Sequence, residues 1–477
     1  MIKICLNNNN SLHNKLTYLI TFGTSKTPTI MKNITLIFCS LFFIPTFAQD
    51  HYSGISTSTR VGIINVGMNP SELSNLNSKF EIQLLSASLN VSNNKVGFKD
   101  IVNGNNLENL IFKGDGAVNF NVDAEFYGLG AAIKLLDWGF AVTSKGHVKA
   151  SIVDVDPTLG KSFTNSLLNS YGGSSIISNT NNQRINTTAW GEIGFSVAHK
   201  IYENEKSKLS GGLTLKLLFP GSYANIGAGN FQGKITTNVL GNSELTDANA
   251  NLNIAYTGSL ANSFNNTSDY TQSLFGSLNG MAADIGFDYQ LKGSGKSYQL
   301  KVGAALKNMG SMTFKSNDNY SKDYKLQIQG TQSLNLNQFQ NTNGVKDIEN
   351  ILLNSGYVTL VDDKKDFKVK LPTVLNLYAD LKVIPKLNVT LFLQQKMNNN
   401  NTNSQITSQN IFSVTPRVSL GFFEAYLPIA FNEISGTTGG LGFRLSGFFL
   451  GSNSIITALT SNSKQADIYM GYRFGFL

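Results

Sequence analysis

The clearest pattern along the chain is a strict alternation of apolar and polar residues. In residues 371–383, LPTVLNLYADLKV, the positions from 375 onward alternate between aliphatic side chains and Asn, Tyr, Asp or Lys. A strand with this pattern has one apolar face and one polar face. Residues 387–397 repeat the pattern, and three residues separate the two segments. The pattern therefore predicts a β-hairpin.

The same alternation recurs in most of the chain after residue 117. Besides the hairpin, it predicts seven strands, at 118–126, 189–197, 209–219, 281–291, 300–306, 441–449 and 466–476. Weaker alternation predicts four more, at 128–135, 139–149, 409–419 and 421–431. These predictions add up to 13 strands. A barrel with both chain ends on one side of a membrane needs an even number, so at least one predicted boundary is wrong. If residues 409–431 form a single strand, the total is 12, and if one strand within 222–262 was overlooked, the total is 14. We therefore predict 12–16 strands and favour 14.

Three features favour a transmembrane antiparallel β-barrel over a soluble β-sandwich. Many strands run well beyond the 5–6 residues usual in soluble sheets, and about 9–11 residues cross a bilayer. Aromatic residues lie near strand ends, as in the girdles of membrane barrels: Trp138, Trp190, Phe219, Tyr472, Phe474 and Phe476. Short connections at 136–138, 202–206, 292–296 and 384–386 alternate with long ones at 150–187, 220–280 and 308–370. We therefore predict a single all-β barrel with long outer loops.

The N-terminal residues predict export. From Met31, our preferred initiator, Lys32 precedes an apolar stretch over 34–44 that is too short to span a membrane. Thr46 and Ala48 supply the small residues of a signal-peptidase site, so we predict cleavage after Ala48. The alternative is lipidation at Cys39, which lacks small residues just before it. The predicted division is an upstream segment and signal peptide at 1–48, an N-terminal segment at 49–78 and the barrel at 79–477.

The composition of the chain argues against several classes of function. Charged residues make up 14% of the chain, against roughly 25% in soluble domains, and glycine is frequent. Without the four lysines that precede the cleavage site, 34 basic and 30 acidic residues remain, with no polybasic block, so no nucleic-acid partner is predicted. Cys5 and Cys39 both precede that site, which excludes disulfides and thiolate metal sites from the mature chain.

Motifs for catalysis or cofactor binding are weak. Residues 293–297, GSGKS, resemble the end of a phosphate-binding loop but lack the earlier glycine and a following helix, so they predict a hairpin turn. His51, His147 and His199 lack metal-ligand spacing, and no nucleophile-elbow motif occurs. We predict no enzyme activity, no metal and no cofactor.

Charged and polar residues on the polar faces are the candidate functional residues. They are Asp284, Asp288, Tyr378, Asp380, Lys382, Arg444 and Arg473. Two interpretations stay open: a charged lumen or ligand site, or cross-strand ion pairs that hold a filled barrel together. The asparagine-rich residues 398–403 predict a solvated outer loop.

Three segments resemble a known group of proteins. They are GIINVGMNP at 62–70, KVGAALKNMG at 301–310 and GGLGFRLSGFFLG at 439–451, the last followed by the strand at 466–476. They resemble an uncharacterised family of Bacteroidota outer-membrane proteins, a domain of unknown function. That family is similar to the long-chain fatty-acid transporter superfamily, which includes a shuttle barrel of the type IX secretion system. The resemblance spans residues 50–477 and implies a monomeric barrel of 14 strands whose residues 52–78 fold into the lumen as a plug.

These observations lead to three functional hypotheses. The first is a passive channel or transporter of the cell outer membrane for small hydrophobic compounds, using a plug and a lateral opening. The second is a structural or secretion-associated scaffold whose long loops bind a secretion or surface protein. The third is a soluble secreted β-protein. The expected partners are outer-membrane lipid and either a hydrophobic small molecule or such a protein.

Overall fold

The computed structural model of the chain describes residues 51–105, 110–162, 174–237, 242–258, 276–293, 297–315, 319–340 and 342–476. The predicted signal peptide, its cleavage site and the upstream segment lie outside these described residues, as do residues 294–296 of the GSGKS segment. No helix among the described residues is long and apolar enough to cross a membrane.

The described residues form 22 strands in one antiparallel sheet. They are β1 (Phe80–Asn93), β2 (Val118–Leu135), β3 (Trp138–Val155), β4 (Ser174–Asn179), β5 (Gln183–Glu203), β6 (Ser207–Thr237), β7 (Ser243–Thr257), β8 (Gly280–Lys292), β9 (Tyr298–Phe314), β10 (Tyr320–Ile328), β11 (Leu334–Asn335), β12 (Val358–Lys364), β13 (Phe367–Lys370), β14 (Val374–Ile384), β15 (Leu387–Lys396), β16 (Ile411–Leu420), β17 (Phe423–Tyr426), β18 (Ile429–Asn432), β19 (Gly436–Gly439), β20 (Leu441–Leu445), β21 (Phe448–Ser452) and β22 (Gln465–Phe476). Short helices connect some of them: α1 (Phe98–Val102), α2 (Pro157–Ser162), α3 (Val345–Ser355) and α4 (Ile455–Thr460).

Fourteen strand positions close into a barrel, as predicted. In order around the wall they are β1, β2, β3, β5, β6, β8, β9, β14, β15, β16, β17 with β18, β19 with β20, β21 and β22. The wall closes because β22 pairs with β1. We call the end with the short hairpin connections the turn end and the opposite end the loop end.

Several predicted strand boundaries were wrong, although the even total of 14 is confirmed. Segments 118–126 and 128–135 are one strand, β2, whose register shifts between Tyr127 and Gly130. Segment 441–449 crosses the turn between β20 and β21. The strand that was overlooked in the wall is β1, because consecutive Leu84 and Leu85 interrupt its alternation at another register shift.

The two faces of the wall differ in polarity. Along β14, the side chains of Asn376, Tyr378 and Asp380 are buried, whereas the intervening Leu377 is 38% exposed. Exposed apolar and aromatic side chains occur on the outward face of many wall strands, including Leu215, Phe195 and Phe140. A face of this kind suits contact with lipid, and the opposite face lines the interior.

At the loop end, β6 continues beyond the wall and builds a cap with β4, β7, β10, β11, β12, α2 and α3. The cap contains the largest apolar cluster among the described residues, formed by side chains such as Leu252, Ile254 and Leu326. The cap therefore has its own apolar core, whereas the interior of the wall is largely polar.

Candidate functional site

Residues 51–79, the N-terminal segment, lie against the inward side of the wall. Tyr52 packs on Tyr127 of β2, Phe449 of β21 and Tyr469 of β22. Further along, a 3-10 helix at Pro70–Asn75 contacts β3, β5, β6 and β8 on another part of the wall. Contacts with so many wall strands place the segment within the barrel.

Local sequence explains the 3-10 helix at Pro70–Asn75. Asn69 is extended, and its side-chain oxygen accepts a hydrogen bond from the Ser71 backbone N–H at 3.0 Å, while Pro70 takes the first helical position. The wall has glycine where this turn approaches it. A Cβ at Gly212 would lie 2.5 Å from the Pro70 carbonyl carbon, and one at Gly286 would lie 2.0 Å from Asn69 Oδ1. Both glycines are therefore required by the close approach.

Glu72 anchors this segment to the wall. Its carboxylate accepts a hydrogen bond from Lys301 Nζ at 2.7 Å and another from the Tyr378 hydroxyl at 2.5 Å. Asn75 donates to Glu72 at 3.1 Å and to Asp288 Oδ1 at 3.0 Å. The side chains of Lys301 and Glu72 are fully buried. Two of the predicted residues, Tyr378 and Asp288, thus contact the N-terminal segment.

Asp380 and Lys382 make separate contacts. Asp380 accepts hydrogen bonds from Arg417 Nη2 at 2.7 Å and from the Tyr298 hydroxyl. Lys382 donates to Ser297 Oγ at 3.0 Å near the turn end. The buried pair of Asp380 and Arg417 joins β14 to β16 across β15.

Arg444 and Arg473 lie at the turn end. Arg444 Nε is 3.0 Å from Glu424 Oε2, and Arg473 Nη1 is 3.2 Å from Glu81 Oε1. Asp467, which lies on the same strand as Arg473, accepts a hydrogen bond from the Asn453 backbone N–H. The seven predicted residues therefore do not converge on one site.

A small chamber of about 100 Å³ is lined by charged side chains outside the predicted set, among them Lys216, Glu192 and Glu125, and the predicted residue Asp284 contacts one of them. Asp284 is 2.9 Å from Lys216 Nζ, which also faces Glu192 at 3.6 Å. His147 lies between Glu192 and Glu125, 3.6 Å from each. The lining of the chamber combines these charged side chains with apolar ones such as Ile64, Met68 and Phe392.

The loop between β15 and β16 closes the chamber on the side of the loop end. We call residues 397–410 the cross-loop. Arg184 of β5, fully buried, donates to the backbone carbonyls of Asn400 and Thr402, both at 2.5 Å, and of Gln405 at 2.8 Å. Because β5 lies several strands away from β15 and β16, the cross-loop spans the barrel. Ser408 of the cross-loop and His51 of the N-terminal segment both line the chamber.

The prediction that residues 398–403 are a solvated outer loop holds only in part: Asn399 and Thr402 are exposed, but other residues of the segment make contacts across the barrel. Asn401 donates to Asp154 at 3.0 Å and Asn403 accepts from Asn182 at 2.9 Å. Short amide side chains can both donate and accept, so an asparagine-rich loop can cross-link to polar side chains and backbone groups across a lumen.

The wall is interrupted between β19 and β22. The strand β21 has five residues, so β19 and the first residues of β22 have no strand between them. The helix α4 fills this position and contacts both strands. Thr457 Oγ1 accepts a hydrogen bond from the Gly439 backbone N–H at 3.3 Å, and Leu459 is 72% exposed. We call this interruption the wall gap.

The cap contains a partly open apolar cavity of about 310 Å³. Its lining includes Ile185, Ile226 and Ile254, which are register neighbours on β5, β6 and β7. Successive side chains of a strand point to opposite faces of the sheet, and the Arg184 side chain points inward, so that of Ile185 points outward. The cavity therefore lies on the outward face of the sheet and not in the lumen. Its volume falls in the range of small-molecule sites, about 300–1,000 Å³.

One side of this cavity is the helix α3, which Glu349 ties to the sheet. Glu349 accepts hydrogen bonds from Tyr256 at 2.8 Å, from Lys322 at 2.9 Å and from the Tyr324 hydroxyl. Burial raises the pKa of Glu349, but the hydrogen bonds from Tyr324, Lys322 and Tyr256 together lower it by more than burial raises it. The pKa of Glu349 is therefore below its ordinary value. The anion is the form that holds α3.

We expect α3 to loosen at acid pH. A carboxyl with a depressed pKa stabilises the fold above its unfolded pKa and loses this contribution as the pH falls through its folded pKa. Hydrogen exchange of the α3 amides, corrected for the intrinsic pH dependence, should therefore become faster below about pH 4. The substitution Glu349→Gln should loosen α3 at pH 7 by about 1–3 kcal/mol and remove this acid response. An unchanged acid response in that variant would assign it to another group.

Comparison with known proteins identifies the family. A family model with the description "Family of unknown function (DUF5723)" matches residues 72–453. The chain belongs to this family. The DUF5723 match extends from Glu72, the anchor of the N-terminal segment, through β1 to β21 and includes the cross-loop. The resemblance to a domain-of-unknown-function family that the sequence motifs suggested is thereby confirmed. No curated protein matches this DUF5723 member.

Solved structures similar to this DUF5723 protein include hydrocarbon channels. A TodX deltaS2S3 mutant, a monoaromatic hydrocarbon channel, shares 9% identity with a TM-score of 0.44, covering 90% of this chain and 97% of that one. The Pseudomonas putida toluene transporter TodX shares 10%, with a TM-score of 0.40 and coverages of 86% and 92%. A Pseudomonas aeruginosa FadL homologue shares 9%, with a TM-score of 0.39 and coverages of 91% and 100%.

Proposed function

We propose that this protein is a passive transporter of the outer membrane for small hydrophobic compounds, described here in a closed conformation. The wall gap is the observation that carries the proposal. A transmembrane strand needs about 9–11 residues, and β21 has five, so α4 replaces the sheet at the depth of the hydrocarbon. A compound that leaves the lumen there enters lipid, a transfer that is favourable for apolar molecules.

The polar interior supports a closed state. The N-terminal segment is held by a buried ion pair between Glu72 and Lys301, and the cross-loop is held by Arg184. In the proposal the N-terminal segment is the plug, and the predicted residues Asp288 and Tyr378 hold it in place. The apolar cavity of the cap provides a first binding site for hydrophobic compounds.

The route to the membrane is part of the same proposal. We propose export under the signal peptide that starts at Met31, removal of residues 1–48, and a monomeric barrel with its turn end in the periplasm. Exposed apolar side chains on the outward face of the wall support a lipid environment.

A disulfide across the wall gap tests the transport function. A Cβ built at Gly439 would lie 4.0 Å from Ile456 Cβ, so the double variant Gly439→Cys and Ile456→Cys is suited to a disulfide. We expect oxidation to lower the entry of N-phenyl-1-naphthylamine into intact Gram-negative cells at least tenfold, because α4 is then fixed to β19. Reduction with dithiothreitol should restore the wild-type rate.

The matched control joins two paired wall strands away from the wall gap. Leu391 and Val414 are register partners on β15 and β16, and the variant Leu391→Cys with Val414→Cys adds a disulfide without fixing α4. Its oxidised form should transport like the wild type. Equal uptake by the oxidised and reduced forms of the gap variant would refute the lateral route, and cells that gain no uptake from the wild-type protein would refute the transport function.

A second candidate function is a scaffold for a secretion or surface protein. Among the described residues β12 pairs with β10 alone, and its Leu360 and Val361 side chains are 51% and 68% exposed. A free strand edge can accept an added strand from a partner. Deleting residues 358–364 and finding the same co-purifying proteins would count against this candidate.

A further inference from the structure

A recess at the turn end is lined almost entirely by hydrogen-bond donors. Its volume is about 410 Å³, and its lining residues are Thr59, Arg60, Asn77, Gly421, Arg444 and Arg473. None of the six has a large apolar side chain. Three guanidinium groups in one recess are unusual, because like charges repel unless carboxylates or a bound anion compensate them.

The carboxylates near the recess do not balance its arginines. Glu424 is shared by two of them, with Arg444 Nε at 3.0 Å and Arg60 Nε at 3.5 Å. Glu81 pairs with Arg473 at 3.2 Å. Among the described residues, two carboxylates therefore face three guanidinium groups, which leaves an excess of one positive charge at the recess.

Some donors of these arginines are already used by the protein. Arg473 Nη2 donates to the Arg60 carbonyl, and Arg60 Nη1 donates to the Gly421 carbonyl. The Nε–H of Arg473 is buried and has no hydrogen-bond partner within the described part of the chain. The Nη2 groups of Arg60 and Arg444 also make no hydrogen bond within the described residues, so these two groups can donate to an acceptor bound in the recess.

We propose that this recess binds the oxyanion of a phosphate group. Guanidinium groups recognise phosphate through paired, charge-assisted N–H donors, and the side chains of Thr59 and Asn77 supply neutral donors beside them. The phosphate comes either from a free phosphate compound in the periplasm or from a lipid headgroup, since both present the same oxygen atoms.

A bound phosphate also connects two parts of the molecule. Thr59, Arg60 and Asn77 belong to the N-terminal segment, whereas Arg444 and Arg473 belong to β20 and β22. The anion therefore bridges the N-terminal segment and the wall, and phosphate binding holds the segment in the lumen. Phosphate binding at the recess does not depend on the transport function.

Titration calorimetry with inorganic phosphate tests the site. The purified full chain in dodecyl maltoside should bind phosphate saturably, and Arg60→Gln should weaken binding at least tenfold. Arg60 is partly exposed, with 40% of its side chain accessible, so this variant is expected to fold. Arg473→Lys keeps the charge but removes the Nε–H and the paired donors, and it should also bind more weakly.

A charge-matched control removes another cation at the same end of the barrel. Lys386 is exposed in the turn between β14 and β15, and Lys386→Gln should leave the affinity within twofold of the wild type. Binding of inorganic phosphate but not of dihexanoyl phosphatidic acid supports a free phosphate compound as the ligand, and the reverse supports a lipid headgroup. Binding of neither, or equal binding by Arg60→Gln and the wild type, overturns the proposal.

Discussion

Replacing Lys301 by methionine is expected to destabilise the docking of the N-terminal segment by about 3–5 kcal/mol. The Lys301 and Glu72 side chains are both fully buried, and their charges are 2.7 Å apart. Removing the ammonium group leaves the Glu72 carboxylate in the lumen with the neutral donors Tyr378 and Asn75. A buried carboxylate without a cation is strongly unfavourable, so the segment should leave the lumen.

Two measurements report this release. Hydrogen exchange of the amides in residues 51–79 should be faster in the Lys301→Met variant than in the wild type, and a protease added on the turn-end side should cleave within these residues. Adding Glu72→Gln to Lys301→Met removes the unpaired charge and should restore most of the docking. The control Lys364→Met breaks an exposed ion pair with Asp362 and should change stability by less than about 1 kcal/mol. Unchanged hydrogen exchange and unchanged cleavage of residues 51–79 in the Lys301→Met variant would show that this ion pair does not anchor the N-terminal segment.

Replacing Arg184 by methionine should release the cross-loop. The guanidinium group of Arg184 serves the carbonyls of Asn400, Thr402 and Gln405 at once, and also donates to Asn225 at 3.0 Å. Without it, three largely buried carbonyls lose a charged donor, and we expect a loss of about 3 kcal/mol or more in the free energy that holds the cross-loop. The methionine is of similar length, so packing is largely kept.

Limited proteolysis within residues 397–410, applied from the loop-end side, should be much faster in Arg184→Met than in the wild type. Arg184→Lys is the matched variant, because it keeps the charge but reaches fewer of the three carbonyls with its single nitrogen. It should fall between the wild type and Arg184→Met. Identical cleavage in all three proteins would mean that Asn182, Asn225 and the other amide contacts hold the cross-loop without the arginine.

The barrel was predictable because strand alternation is a local property. Each wall strand must present polar groups to the interior and apolar groups outward, so the period of two appears in the sequence itself. The failures occurred where the backbone departs from that period. Leu84 and Leu85 hid β1, and the shift between Tyr127 and Gly130 split β2.

The interior contacts were only partly predictable. Applying the period of two to every strand places Lys216 and Lys301 on inward faces, so both could have been found from the sequence. Their partners could not, because pairing across a lumen depends on the closed geometry. Glu72 lies in an irregular segment with no period, and residues 398–403 have a composition that fits solvent and a polar interior equally well. The sequence alone does not show why positions 212 and 286 are glycine. The reason becomes clear only when the turn at Pro70 is seen to lie beside Gly212 and Gly286.

The chamber has one closure on each side, and the two closures depend on different residues. Lys301 holds the N-terminal segment and Arg184 holds the cross-loop, with no residue shared between the two anchors. Either closure can therefore open while the other stays shut. A continuous water-filled pore would therefore require the Glu72–Lys301 pair and the Arg184 contacts to break at the same time, which is rarer than either event alone.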